Sequence, residues 1–180
     1  MKVCTVFGAS APPQDQYDTA FNLGVLLASA GISIVTGGYF GTMEAVSKGA
    51  ASIGRVSIEG VVVPSVFVNR PIDGNTFLTK VTHASSLIDR IDRLIHASRV
   101  FVVLPGSVGS MAELVAVWNE DYCTRLKGGK EASPLTLICW RKPWQAFVES
   151  TCNALNLHEG PNVIFVDSAE DAVAQVIKFA

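Results

Sequence analysis

An alternation constrains this chain more than any other feature. Seven short apolar runs, at residues 2–7, 32–36, 59–63, 80–82, 100–104, 135–140 and 163–166, are separated by longer segments with helical spacing. Those segments lie near 15–30, 41–54, 86–97, 110–125, 142–156 and 169–179. Most runs are continuous Val, Ile and Leu rather than apolar residues alternating with polar ones. That is the pattern of parallel strands buried on both faces. Strand followed by helix, repeated along the chain, predicts an α/β fold with a doubly wound parallel sheet and helices on both faces. A length of 180 residues suits a single domain, 1–180, with a sizeable core. In such sheets ligands bind beyond the carboxyl ends of the strands, so the residues after each run are where chemistry is expected.

Charge narrows the ligand class. Fourteen Lys and Arg against sixteen Asp and Glu give a net charge of -2. A chain that wraps nucleic acid or sits on an anionic membrane usually carries a basic excess, so the expected partner is a small molecule and neither nucleic acid nor membrane. No apolar stretch reaches the ~18 residues of a membrane span. The opening run Val3-Cys4-Thr5-Val6-Phe7 is too short for a signal peptide and reads as a first strand, which makes the cytoplasm the expected location. Cys4, Cys123, Cys139 and Cys152 form no C-x-x-C and read as free thiols in a reducing compartment. His83, His96 and His158 have no metal-ligand spacing, and no metal or cofactor is expected. Lys127-Gly128-Gly129-Lys130 lies in the least regular stretch and does not fit the P-loop pattern, so it reads as an exposed loop.

Three junctions follow the strand-like runs. They are Gly8-Ala9-Ser10, then Gly37-Gly38-Tyr39-Phe40-Gly41-Thr42-Met43-Glu44, then Pro105-Gly106-Ser107-Val108-Gly109-Ser110-Met111-Ala112-Glu113. Glycine permits positive φ and close approach of a ligand to the backbone. A helix N-terminus offers free N–H groups and a partial positive charge to an anion. Gly8, Ser10, Gly37, Gly38, Gly41, Thr42, Gly106, Ser107, Gly109 and Ser110 are therefore the candidate phosphate and nucleotide contacts. None of the junctions matches G-x-G-x-x-G, so a dinucleotide fingerprint is not present.

Glu113 admits two readings. Ser110-x-x-Glu113 fits a capping box, with Ser110 as N-cap, and a carboxylate at the mouth of an anion site can also act on a bound ligand. Arg90 sits 60° from Leu87 around a helix whose apolar stripe is Leu87, Ile91, Leu94 and Ile95. That edge position fits a surface arginine lying beside the core, and it also lets the side chain reach the site.

The motifs taken together resemble a family. Residues 36–45 are similar to T-G-G-G-P-G-I-M-E-A, and 105–113 are similar to P-G-G-x-G-T-x-x-E. Gly8-Ala9-Ser10 resembles a G-S-S loop, and Arg90 falls on the Arg of M-x-x-R-K. These belong to the LONELY GUY (LOG) family of cytokinin riboside 5′-monophosphate phosphoribohydrolases, often mislabelled as lysine decarboxylases. The resemblance covers about residues 2–120 and continues more loosely to the end. It implies a Rossmann-like fold, a homodimer or larger homo-oligomer, and hydrolysis of the N-glycosidic bond of a nucleoside 5′-monophosphate. It also implies Arg90 and Glu113 as the catalytic pair. Tyr39, Met43, Glu44 and Leu87 would border the base and ribose.

The chain departs from the motifs at Ser107, Ser110, Tyr39, Phe40, Leu87 and Ile91. A required positive φ at Ser107 would strain it by about 1–2 kcal/mol, and the aromatics at 39 and 40 are placed to narrow the pocket or stack on a base. Ser107, Tyr39 and Ile91 also speak for a competing reading, a carrier that binds a nucleotide or molybdopterin-like phosphate without turnover. No lysine sits in a recognisable pyridoxal phosphate context.

Overall fold

The computed structural model describes residues 2–126, 134–157 and 160–180. The Lys127–Lys130 motif and His158 lie outside the described residues. Strands β1 (Val3–Phe7), β2 (Ser33–Thr36), β3 (Ile58–Val62), β4 (Lys80–His83), β5 (Val100–Val103), β6 (Thr136–Trp140) and β7 (Val163–Val166) form one parallel sheet. The helices are α1 (Gln14–Ser29), α2 (Thr42–Ile53), α3 (Leu87–His96), α4 (Val108–Leu126), α5 (Arg141–Ala154) and α6 (Ala169–Phe179). The expected doubly wound, Rossmann-like α/β architecture is observed, with boundaries shifted by one or two residues.

The strand order is β4-β3-β2-β1-β5-β6-β7. The chain builds outward from β1 to β4, then returns to the other side of β1 for β5. The carboxyl ends of β1 and β5 therefore flank the point where the winding reverses, which is where open α/β sheets leave a crevice. Val6 pairs with Thr36 on one side and with Val102 on the other, so the ends of β1, β2 and β5 lie close together in register.

Two apolar layers explain the continuous Val and Ile runs. One face of the sheet packs α1, α2 and α6 over Cys4, Val6, Ile34, Val102 and Ile138. The other packs α3, α4 and α5 over Phe7, Val35, Phe101, Val103 and Leu137. Successive residues of one strand point into opposite layers, so neither side can be polar. The edge strand β4, like β7 at the other edge, is less covered. On β4, Lys80 pairs with Glu59 on β3 at 2.8 Å, a charged treatment suited to a sheet edge.

Ser86 and Ser168 cap α3 and α6 by accepting from Asp89 N and Asp171 N, which satisfies otherwise unpaired helix-end donors. Among the described residues no helix is long and apolar enough to cross a membrane. The four cysteines are free, and burial pushes the Cys4 thiol up to about 12.

Candidate functional site

The site begins where three strand ends meet. Thr42, the first residue of α2, donates from both its N–H and its Oγ1 to Ala9 O, at 2.9 and 3.0 Å. The junction after β2 thus grips the junction after β1. A side chain at Gly8 would collide with Thr42 Oγ1, and Gly41, at φ +72°, lies against the Ala9 and Ser10 backbone. Thr42 is 1% exposed. Its hydroxyl, read from sequence as a phosphate donor, is committed to this loop-to-loop contact.

Arg90 comes to the same place from α3. The residue is 9% exposed, and its guanidinium has three oxygen acceptors besides a longer contact of Nη2 with Met43 Sδ at 3.9 Å. Nε donates to Val61 O at 2.9 Å, Nη2 to Gly37 O at 3.1 Å, and Nη1 to Glu113 Oε1 at 3.3 Å. Gly37 is a glycine because Arg90 occupies the space where its side chain would be. The edge position on α3 does not leave Arg90 on the surface. The long side chain runs inward past the core to the strand ends.

Glu113 does not form the capping box. Helix α4 starts at Val108, and its first turn closes with Met111 N donating to Ser107 O at 3.0 Å. Ser107 is thus the N-cap position, Ser110 lies inside the first turn, and Glu113 is the sixth helical residue. The carboxylate turns to Arg90 instead. Burial raises its pKa to about 7 against the lowering effect of Arg90, and burial likewise lowers that of Arg90 against the raising effect of Glu113. Desolvation outweighs attraction in both members of the pair.

A cavity of about 340 Å³ opens in front of this pair. Gly8, Ser10, Met43, Leu87, Arg90, Ser107, Gly109, Ser110 and Glu113 line it, so nine predicted residues converge. Ser110 is 3% exposed, and its Oγ has no hydrogen-bond partner among the described residues. A buried polar atom without a partner calls for an explanation, and this one sits beside the N–H groups of the first α4 turn, which a helix leaves unpaired. A side chain at Gly106 would displace that hydroxyl. Neither Gly106 nor Ser107 has a positive φ. The condition under which a serine at 107 would be strained is therefore not met.

Several predicted residues stand elsewhere. Tyr39 is fully buried, its Oη accepts from Val63 N at 2.9 Å, and its ring meets Phe67 edge-on. It supports the floor beneath the cavity and leaves no face for a base. Gly38 turns at φ +78° and is held by Asn75, whose N and Nδ2 donate to Gly38 O at 2.8 and 3.1 Å. Glu44 lies in the first turn of α2 near Tyr17, away from the cavity lining. Gly106 faces a neighbouring cleft of about 640 Å³ that also includes Ala9, Lys142 and Trp140 and shares Ser107.

The sequence reading missed Phe67 and Arg70, which line the cavity from the long connection between β3 and β4. A usable signal existed. That connection is about three times the usual length, and long connections are often functional. Among the described residues no group of three or more His, Cys, Asp or Glu could hold a metal.

Comparisons with known proteins bear on this geometry. The SLOG cluster4 family matches residues 1–127. A cytokinin riboside 5′-monophosphate phosphoribohydrolase of Arabidopsis thaliana, LOG1, is 32% identical over 64% of this chain and 54% of its own length. An enzyme of the same name from Mycobacterium marinum is 29% identical over 65% of this chain and 62% of its own length. The alignments thus span only about half to three fifths of these relatives. The molybdenum cofactor binding protein of Rippkaea orientalis superposes with a TM-score of 0.69 at 22% identity, over 98% of this chain and 95% of that one. The molybdenum cofactor carrier protein of Chlamydomonas reinhardtii does so at 0.68 and 20%, over 99% and 97%. At these identities the superpositions describe the fold.

Proposed function

The chain belongs to the SLOG cluster4 family, and from that premise we propose that it hydrolyses the N-glycosidic bond of a nucleoside 5′-monophosphate to free base and ribose 5-phosphate. The observation that carries this reading is the buried Arg90–Glu113 pair, on the wall of a cavity that also receives the first turn of α4. The cavity volume lies in the ~300–1,000 Å³ range of small-molecule sites. The named activity of the curated relatives supports the same choice of substrate class, with a cytokinin riboside monophosphate or AMP as the candidates.

Each group then has a role. The N–H groups of Val108, Gly109 and Ser110, with the unpartnered Ser110 Oγ, hold the 5′-phosphate. Met43 and Leu87 give the ribose and base an apolar wall. Cleavage passes through an oxocarbenium-like sugar. Water adds to C1′, and the electron pair of the C1′–N bond leaves with the base. Glu113 takes the water proton, and the departing base takes one up. A base works best with a pKa near the operating pH, and burial has brought Glu113 to about 7. Arg90 holds the carboxylate in place and offsets its charge when it is ionised.

Incubation with AMP and with isopentenyladenosine monophosphate tests this. Release of free base is expected from at least one. No release from either by folded protein overturns it. The neighbouring cleft of about 640 Å³ favours a second reading. A ligand larger than a mononucleotide, such as a pterin phosphate cargo, would span both spaces through Ser107 and be held without turnover. Retention of such a ligand through purification without hydrolysis would select that reading. A homodimer and a cytoplasmic location belong to the first reading. Val108 on the cavity lining, 73% exposed, and Ile88 on α3 next to the lining residue Leu87, 76% exposed, support the dimer, and a monomer in sedimentation would exclude it.

A further inference from the structure

The cavity contains a cation that the hydrolytic scheme does not use. Arg70 lies on the connection between β3 and β4 and lines the cavity together with the first turn of α4. Its guanidinium carbon stands 4.6 Å from the Phe67 ring centre and 5.0 Å from that of Tyr39. Aromatic backing of this kind orients a guanidinium while leaving its in-plane N–H groups available. Among the described residues no carboxylate pairs with Arg70, and no side-chain hydrogen bond engages it. Arg90 differs in this respect, because its donors are engaged by Val61, Gly37 and Glu113. The two guanidiniums are close enough for Arg70 to disfavour the charged form of Arg90.

The lining thus holds two cations and one carboxylate, together with the positive end of α4 and a buried hydroxyl lacking a partner. This excess of positive charge is unsatisfied by the protein and calls for an anion. We infer that Arg70 is the second arm of a phosphate clamp whose first arm is the first turn of α4, and that it makes the site selective for phosphorylated over neutral ligands. The rigid aromatic backing reduces the side-chain freedom that binding would otherwise remove. Tyr39 then contributes to the site indirectly, by supporting Arg70 instead of stacking on the base.

The inference rests on reading this cavity as a phosphate-ligand site, but not on turnover. The test is calorimetric titration of the full chain with inorganic phosphate, AMP and adenosine, for the wild type, Arg70→Ala and Arg70→Lys, with thermal unfolding to confirm that each variant is folded. Arg70→Ala should weaken phosphate and AMP binding roughly 10- to 100-fold, the scale of one or two charge-assisted hydrogen bonds, and leave adenosine binding nearly unchanged. Arg70→Lys should recover part of the loss, because it restores the charge without the planar fork. Three results overturn the clamp: unchanged phosphate and AMP binding in Arg70→Ala, an equal loss for adenosine and AMP, or no phosphate binding by the wild type. The two readings separate cleanly. Arg70-dependent AMP binding without base release removes the hydrolase and keeps the clamp. Base release with the same KM in Arg70→Ala removes the clamp and keeps the hydrolase.

Discussion

Residues 37–42 and 105–110 resemble each other in sequence and differ in what they do. Both follow a buried strand, both are glycine-rich, and both lead into a helix. In the first, the glycines make room for the protein itself. Gly37 admits the Arg90 guanidinium, and Gly41 admits the Ala9–Ser10 loop. Tyr39 and Thr42 are buried and hydrogen-bonded. In the second, the helix start faces a cavity, and Ser110 Oγ is buried without a partner. A glycine-rich junction is therefore a place of close approach, and what approaches depends on its neighbours. Here the first junction positions the Arg90–Glu113 pair proposed as catalytic, and the second turns its helix start and an unpartnered hydroxyl toward the cavity.

The sharpest probe of this division is Glu113→Gln. It keeps the shape and a hydrogen bond to Arg90 but removes the base, and base release should fall about 10²- to 10⁴-fold while the protein stays folded. Glu113→Ala is a poorer probe. It would leave Arg90 buried and uncompensated, which costs about 3–5 kcal/mol, far more than loss of a helix cap would.

The pH profile should show the same group. In the proposed reaction Glu113 acts as its carboxylate, so the rate should rise with pH up to about 7 and fall about tenfold per unit below it, an acid limb that Glu113→Gln should abolish. The stability effect has the opposite sign. A carboxyl whose folded pKa is raised from 4.5 to about 7 favours the folded state when protonated. Its contribution is complete below 4.5 and is lost as pH rises through about 7. The wild type should accordingly lose stability relative to Glu113→Gln across that window in pH-dependent denaturant unfolding.

Gly37→Ala tests the first junction directly. Displacing Arg90 from Gly37 O and Glu113 should cost about 3 kcal/mol of stability and lower kcat, with the KM for phosphate ligands little changed. The second junction should respond in the reverse way. Ser110→Ala removes a hydroxyl with no protein partner, so the melting temperature should hold while affinity for AMP falls about 3- to 10-fold. The smallest effect is expected at Thr42→Val, a loss of about 1 kcal/mol from the Ala9 contact without change in phosphate affinity. A Thr42→Val variant that bound phosphate poorly would break the distinction between the two junctions.

Much of the site was legible because it is written locally. The glycines, the α4 start and Glu113 are contiguous, and Arg90 stands at a fixed spacing from them. The capping box was a plausible local pattern that failed, because α4 begins at Val108 and carries Glu113 past the first turn. Tyr39 was misread for a different reason. An aromatic at a glycine-rich junction can face out or in, and the free Val63 N–H and the Phe67 ring draw it inward. Arg70 belongs to no motif, and its position follows from how the β3–β4 connection folds over the strand ends.

The sequence by itself determined the parallel sheet, since continuous Val and Ile runs between helical segments can be buried only with a helix layer on each face. It also determined which three junctions would matter, because chain direction places the strand ends on one edge. Only the tertiary structure decided which hydroxyls and guanidiniums remain open to a ligand. Thr42 and Arg90 are satisfied by backbone carbonyls distant in sequence, whereas Ser110 and Arg70 are not. Hydrogen-bond satisfaction depends on which groups folding brings within about 3 Å, and that information is not carried by any one segment of the chain.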